Sequence, residues 1–214
     1  MRKRQLIILL VLIILLIQLF ILFIDSNKIY VIDSWFYQNV EKIIDPKITY
    51  IMLVITQFGS FLVLALMSIG LLLNEKTRRY YSIPIFVSIT ISTLLNQTLK
   101  FLIEKPRPDI LKLIEENGYS FPSGHAMVTM TFYTMIILLT LKYIKNIKLK
   151  YSIILISISL IILIGLSRIY LGVHYLTDVF AGWTLGFMIA LIIYKLFKEK
   201  VRIKLWCLLI LLKV

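Results

Sequence analysis

Cysteine occurs once, at Cys207, which excludes an intramolecular disulfide and any multi-cysteine zinc or iron–sulfur site. Charge is also scarce. Only 16% of residues are Asp, Glu, Lys or Arg, against about 25% in a soluble domain. Acidic residues are the scarcest charged class, 11 against 24 Lys and Arg, for a net charge of +13. Such a balance ordinarily suggests a nucleic-acid binder. A hydrophobic fraction of 60% and a mean hydropathy of +0.92 argue otherwise, because a water-soluble fold cannot hide that much apolar surface. Disorder is excluded by the same composition, since disordered chains are poor in apolar residues. The chain shows no internal repeat, low-complexity tract or domain linker, so one domain is expected over residues 1–214. What is present is an integral membrane protein with an excess of positive charge.

A spanning helix needs roughly 20 mostly apolar residues. Six runs meet or approach this: Gln5–Ile24, Ile48–Leu73, Tyr80–Ile103, Ala126–Leu141, Ser152–Leu166 and Val179–Leu196. The first follows a basic Met1–Arg4 but is too long for a signal-peptide core and has no small-residue cleavage site after it. It reads as a retained span. The fourth and fifth are short, so their polar neighbours are expected to extend them. Leu205–Leu212 is too short to span and is expected to be an interfacial tail. Between the first two spans, Ile32, Trp35, Phe36, Val40, Ile43 and Ile44 recur at helical spacing, with Asp33 placed to cap and Pro46 beyond the end. An amphipathic helix in the outer interface is expected there, with Trp35 and Tyr37 at headgroup level. The predicted fold is therefore an all-α polytopic membrane protein of six transmembrane helices plus this interfacial helix. Sixteen basic residues and two acids fall on the side shared by both termini, and eight basic residues and nine acids on the other. By the positive-inside rule the termini are cytoplasmic.

Ionisable groups at membrane depth are costly and mark function by default. Ser88, Ser92, Asn96 and Lys100 form a polar stripe four residues apart on the third span. Interhelical hydrogen bonding accounts for the serines, and snorkelling would account for a lone lysine. Lys100 is not alone, however. Arg107-Pro108, Pro122-Ser123-Gly124-His125, Ser167-Arg168, His174 and Asp178 all fall on the same outer side. Three cations there, two with planar forks, suit phosphate oxygens. A turn opening a helix at Pro122–His125 favours an anion, and glycine permits close approach. His174 and Asp178, four apart, can share a helical face, so a carboxylate can hold one imidazole tautomer and leave the other nitrogen to attack. His125 can protonate a leaving oxygen.

Lys100-x6-Arg107-Pro108, Pro122-Ser-Gly-His125 and Ser167-Arg168-x5-His174-x3-Asp178 together resemble the three-part signature of the type 2 phosphatidic acid phosphatase (PAP2) family. The finer stretches Lys105-Pro-Arg-Pro-Asp109, Ser120–His125 and Ser167–His174 are similar to those of small bacterial members of the phosphatidylglycerophosphatase B type. Related undecaprenyl pyrophosphate phosphatases share much of this pattern. The resemblance implies that His174 attacks phosphorus to form a phosphohistidine, oriented by Asp178, while His125 protonates the leaving group and then activates water. It implies that Lys100, Arg107 and Arg168 hold the phosphoryl oxygens, assisted by Ser123 and the backbone of Gly124. The direct role of Ser167 is less defined. No metal and no cofactor are implied, and the partners are a phosphorylated lipid and the bilayer, with no nucleic acid.

The expected function is hydrolysis of a lipid phosphomonoester or pyrophosphate at the extracytoplasmic face, with phosphatidylglycerophosphate as the leading substrate. Undecaprenyl pyrophosphate is the alternative. From a different class, a non-hydrolytic transporter of anionic lipids would use the same cations, but it gives no reason for a paired histidine nucleophile and acid.

Overall fold

The computed structural model describes residues 27–73, 81–109 and 111–211. Among them the chain is all-helical, with seven helices: α1 (Asn27–Glu41), α2 (Pro46–Gln57), α3 (Phe61–Leu73), α4 (Ile83–Ile103), α5 (Gly124–Tyr143), α6 (Ile147–Tyr170) and α7 (Leu176–Leu211). The expected first span, Gln5–Ile24, and the basic segments Met1–Arg4 and Asn74–Arg79 lie outside the described residues.

Local chemistry sets the helix starts. Asp45 caps α2 by accepting from Lys47 N at 2.8 Å and Ile48 N at 3.2 Å, with Pro46 in the first turn where its missing N–H costs nothing. Asn146 caps α6 through Leu149 N at 3.1 Å, and Ser123 caps α5 through Ala126 N at 3.5 Å. Helix α4 ends on Glu104 in the left-handed region (φ 50°), with Pro106 two residues on. The short fourth and fifth runs are indeed extended by their polar flanks, to 20 and 24 residues.

Among the described residues, four helices are long and apolar enough to cross a membrane: α4, α5, α6 and the Leu176–Lys198 part of α7. The second expected span differs from the prediction. It is broken into α2 and α3, bent by 45°, and counts as a fifth span only if the pair is taken together. The break falls at Phe58-Gly59-Ser60, where the chain presses on its neighbours. A β-carbon at Gly59 would stand 2.4 Å from Ile164 Cγ2 and 2.7 Å from Thr129 Oγ1. The tail also differs: α7 runs unbroken to Leu211, since Phe197–Lys204 contains no proline or glycine to stop it.

Helix α5 is central, packing on α4, α6 and α7. Its contact with α7 is close because Gly186 has no side chain; a β-carbon there would lie 2.3 Å from Met127 O. The buried Thr131 Oγ1 of α5 lies 3.0 Å from Ser92 Oγ of α4 and 3.1 Å from Gly186 O of α7, a polar contact point of three helices. Leu99, Met127, Phe132, Ile164 and Leu185 belong to the main apolar core between these helices. A second, smaller cluster at one pole gathers Val40, Ala126, Leu171, Val173 and Val179.

A helix, α1, is present over Asn27–Glu41. The side chains turned inward are Asp33, Tyr37 and Val40, while Ile32, Trp35 and Ile43 are exposed. Asp33 does not cap its own helix, since α1 begins six residues earlier. Tyr37 is fully buried, and its hydroxyl donates to His174 O at 3.0 Å.

Candidate active site

The C-terminal ends of α4 and α6 and the N-terminal ends of α5 and α7 meet at one pole. The 104–123 loop is tied across them by Leu113 N to Leu171 O (3.2 Å) and Ser120 N to Lys105 O (2.8 Å). All three signature segments thereby converge. A cavity of about 430 Å³ opens there, and Lys100, Arg107, Gly124, His125 and His174 line it. Ser123, Arg168 and Asp178 stand behind that wall, at 0%, 1% and 0% exposure.

His174 sits in the turn between α6 and α7 and is almost completely buried. Its Nδ1 lies 3.7 Å from Asp178 Oδ2 and 3.4 Å from Ser120 Oγ. The Ser120 hydroxyl donates to Asp178 Oδ2, so it meets Nδ1 as an acceptor. The imidazole proton therefore belongs on Nδ1, and Nε2 keeps its lone pair, 3.4 Å from Arg107 Nη1. Burial pushes the imidazole down to about 4, against the opposing pull of Asp178 and with help from Arg168 and Arg107. At neutral pH the ring is therefore uncharged. Asp178 is itself fixed from three sides. Oδ2 also accepts from Tyr175 N at 3.0 Å, and Oδ1 from Lys105 Nζ at 2.8 Å.

The cations differ in their surroundings. Lys100, in the last turn of α4, donates to Tyr119 O at 2.6 Å. Arg107 spreads its fork over Gly118 O (2.9 Å), Asn117 O (2.9 Å) and Val173 O (3.0 Å), pinning the loop to the His174 turn. Arg168 donates to Thr56 Oγ1 at 2.9 Å and to Glu116 Oε1, while its buried Nε has no partner among the described residues. Glu116 thus reaches both arginines, with Arg107 Nη2 3.7 Å from Oε2. Burial works to raise the Glu116 carboxyl, but Arg168, with His125 and Arg107, holds it below the ordinary carboxylate range.

Ser123 spends its hydroxyl on the α5 cap, and its N–H donates to Asp178 O at 3.1 Å. Gly124 and His125 occupy the first turn of α5, whose free N–H groups favour an anion. A β-carbon at Gly124 would lie 3.1 Å from Asn96 Oδ1. Asn96 in turn donates to Pro122 O at 3.0 Å, holding the turn before α5. In the polar stripe, Ser92 is bonded between helices as expected, whereas Ser88 donates within its own helix to Ile85 O at 2.7 Å. Ser167 likewise donates to Ile164 O at 2.7 Å and faces no part of the cavity wall.

The cavity continues from this pole down α4, past Gln97, Asn96 and Thr93, to Val128 of α5 and to Gly59 and Phe61 at the α2–α3 break. Lys100 to Thr93 covers roughly 10 Å of helix. Phe61 and Phe101, which also line it, are 54% and 74% exposed, so part of its rim is apolar. No residue of the 32–44 segment lines it.

Residues 81–202 match the model of the PAP2 superfamily, more than half of the chain. The chain belongs to that superfamily. It is 32% identical to phosphatidylglycerophosphatase B of Bacillus subtilis (strain 168), over 84% of this chain and 89% of that protein. It is also 32% identical to an undecaprenyl-diphosphatase of Sulfolobus acidocaldarius, over 55% of each chain. The solved structure of a transmembrane PAP2-type phosphatidylglycerolphosphate phosphatase from Bacillus subtilis superimposes with a TM-score of 0.78 at 30% identity, covering 89% of this chain and 96% of that one. The PAP2 match begins at residue 81. Three side chains that support the site, Asp33, Tyr37 and Thr56, come from helices before it, where motif reading has no purchase. Glu116 and Ser120 lie within the matched region. Glu116 is one of nine acids on the outer side and nothing in its local sequence singles it out, and Ser120 is marked only by its place in the Ser120–His125 stretch.

Proposed function

We propose that this PAP2 lipid phosphatase hydrolyses a lipid phosphomonoester through a phosphohistidine on His174, converting phosphatidylglycerophosphate to phosphatidylglycerol. The observation that carries the reading is a buried, neutral imidazole on the cavity wall, with Nδ1 turned toward Asp178 and Nε2 beside Arg107. Nε2 attacks phosphorus, and the bond to the lipid oxygen breaks. His125 gives that oxygen its proton and then takes one from the water that cleaves the phosphohistidine. Phosphoryl transfer spreads charge over three equatorial oxygens, so positioned cations and N–H groups do most of the work. Lys100, Arg107 and the first turn of α5 meet those oxygens. Arg168 contributes from behind, where its unpartnered Nε is a donor in reserve. Ser123 acts by holding the α5 turn in place.

The lipid enters sideways between α3 and α4, its chains along the apolar rim at Phe61 and Phe101 and its phosphate at the polar pole. The distribution of charge supports six spans with both termini cytoplasmic and the site at the extracytoplasmic face. Helix α1 then lies in the outer interface, its exposed Ile32 and Trp35 turned to lipid. The longer match to phosphatidylglycerophosphatase B favours the monoester; the shorter match to an undecaprenyl-diphosphatase supports the pyrophosphate as the second reading. Initial rates on phosphatidylglycerophosphate, undecaprenyl pyrophosphate and phosphatidic acid, from one detergent preparation without added divalent metal, decide between them. The first should be fastest. A preference for the pyrophosphate would install the second reading, and phosphate release surviving His174→Ala would overturn the mechanism.

A further inference from the structure

Helix α1 lies outside the matched segment, yet it places two polar side chains behind His174. Tyr37 holds the His174 carbonyl. Asp33, 2% exposed, accepts from Thr177 N at 3.1 Å and Thr177 Oγ1 at 2.7 Å, supplying the start of α7 with a cap from another helix. Beside it, Lys105 Nζ lies 3.6 Å from Asp33 Oδ2 and 2.8 Å from Asp178 Oδ1, over the Tyr175 ring at 4.3 Å. Lys105 is not on the cavity wall.

We propose that Asp33 and Lys105 are positioning residues that act through Asp178, fixing the carboxylate that orients His174 and jointly setting its charge. This rests on His174 being the nucleophile. A fully buried carboxylate is costly unless paired, and Lys105 supplies the pair at Oδ1. An unshared ammonium there would drain Asp178 of the negative charge that holds the Nδ1 proton. Asp33 takes part of that ammonium's field. Burial pushes the Asp33 carboxyl up, and Thr177 and Lys105 oppose it, so each buried charge depends on the next. The other groups around His174 are Arg107 from the loop, Arg168 of α6, His125 of α5, Lys100 of α4 and Tyr37 of α1. None of them is altered in the variants below.

The test uses the full chain in detergent with dioctanoyl phosphatidic acid, comparing Lys105→Met, Asp33→Asn, their double variant, Lys105→Arg and His174→Ala. Lys105→Met should lower kcat about tenfold or more with KM within about threefold, and Lys105→Arg should recover most of it. The lower break in the acid limb of kcat/KM, where His174 takes up its proton, should move to higher pH in Lys105→Met, where a positive charge is lost, and to lower pH in Asp33→Asn. Because both act through one carboxylate, the double variant should be no worse than Lys105→Met. Multiplicative losses, limbs moving the same way, or unchanged kcat and pH profile in both single variants would overturn the proposal. If Lys105→Met does not fold, the charge-balanced double variant and the limb of Asp33→Asn decide. An active His174→Ala sinks the nucleophile reading itself; an inactive one beside unaffected Lys105 and Asp33 variants sinks only this inference.

Discussion

The neutral state of His174 should be visible in the acid limb of the reaction. An ordinary imidazole has its midpoint at 6.5, whereas burial places this one at about 4. That difference makes the neutral, nucleophilic form roughly 300-fold more favoured over imidazolium at any given pH, equivalent to about 3 kcal/mol. The substrate phosphate loses its own second proton near pH 6. If the enzyme needs the dianion, log kcat/KM should fall toward acid with a slope no steeper than one, turning toward two only near pH 4. The assay is phosphate release at substrate concentrations well below KM, from pH 4 to 8. A slope of two setting in near pH 6.5 would show an imidazole of ordinary basicity and refute the argument. The same shift has a stability counterpart. Below 6.5 the unfolded chain takes up a proton that the native site refuses, so stability should decline from pH 6.5 toward 4 and level off below. His174→Gln should remove that part of the decline in a thermal-melt series.

Glu116→Gln takes a carboxylate away from Arg107 and Arg168, so orthovanadate should inhibit about tenfold more tightly; unchanged inhibition would show that the carboxylate does not compete for the anion site. Gly186→Val puts a β-carbon 2.3 Å from Met127 O and should cost roughly 1–3 kcal/mol or more by forcing α5 and α7 apart, read as a lower melting temperature in detergent. Gln97→Trp, on the cavity wall below Lys100, should slow a long-chain lipid phosphate at least about tenfold more than a water-soluble aryl phosphate, because it narrows the chain's path and leaves the phosphate pole untouched.

The phosphate pole was legible because its chemistry is local in sequence. A turn-and-cap at Pro122–His125, an i,i+4 pair at His174 and Asp178, and a lysine ending an apolar helix each declare themselves in a few residues. Their convergence followed from span parity, which puts the ends of α4, α5, α6 and α7 at one pole. What stayed hidden depends on side-chain direction over long separations. Asp33 reads as a cap for its own helix, but α1 starts earlier and turns it toward Thr177, 144 positions away. Tyr37 reads as an interfacial aromatic, and nothing near it in sequence points its hydroxyl to His174 O. The expected second span reads as continuous because Gly59 is tolerable within a helical pattern; only the crowding by Ile164 and Thr129 shows why the chain bends there. Arg168 and Ser123 carry the right chemistry, but burial places both behind the wall.

The central claim is a covalent bond between phosphorus and His174. Acid-labile, base-stable label from a 32P-phosphorylated lipid, captured by rapid quench and located by mass spectrometry of peptides, tests it directly. The account predicts label on His174 Nε2, formed and lost at rates consistent with turnover, with both formation and loss slowed when His125 is replaced by Ala. Turnover without any protein-bound phosphate, or label on another side chain with His174→Ala still active, would contradict it.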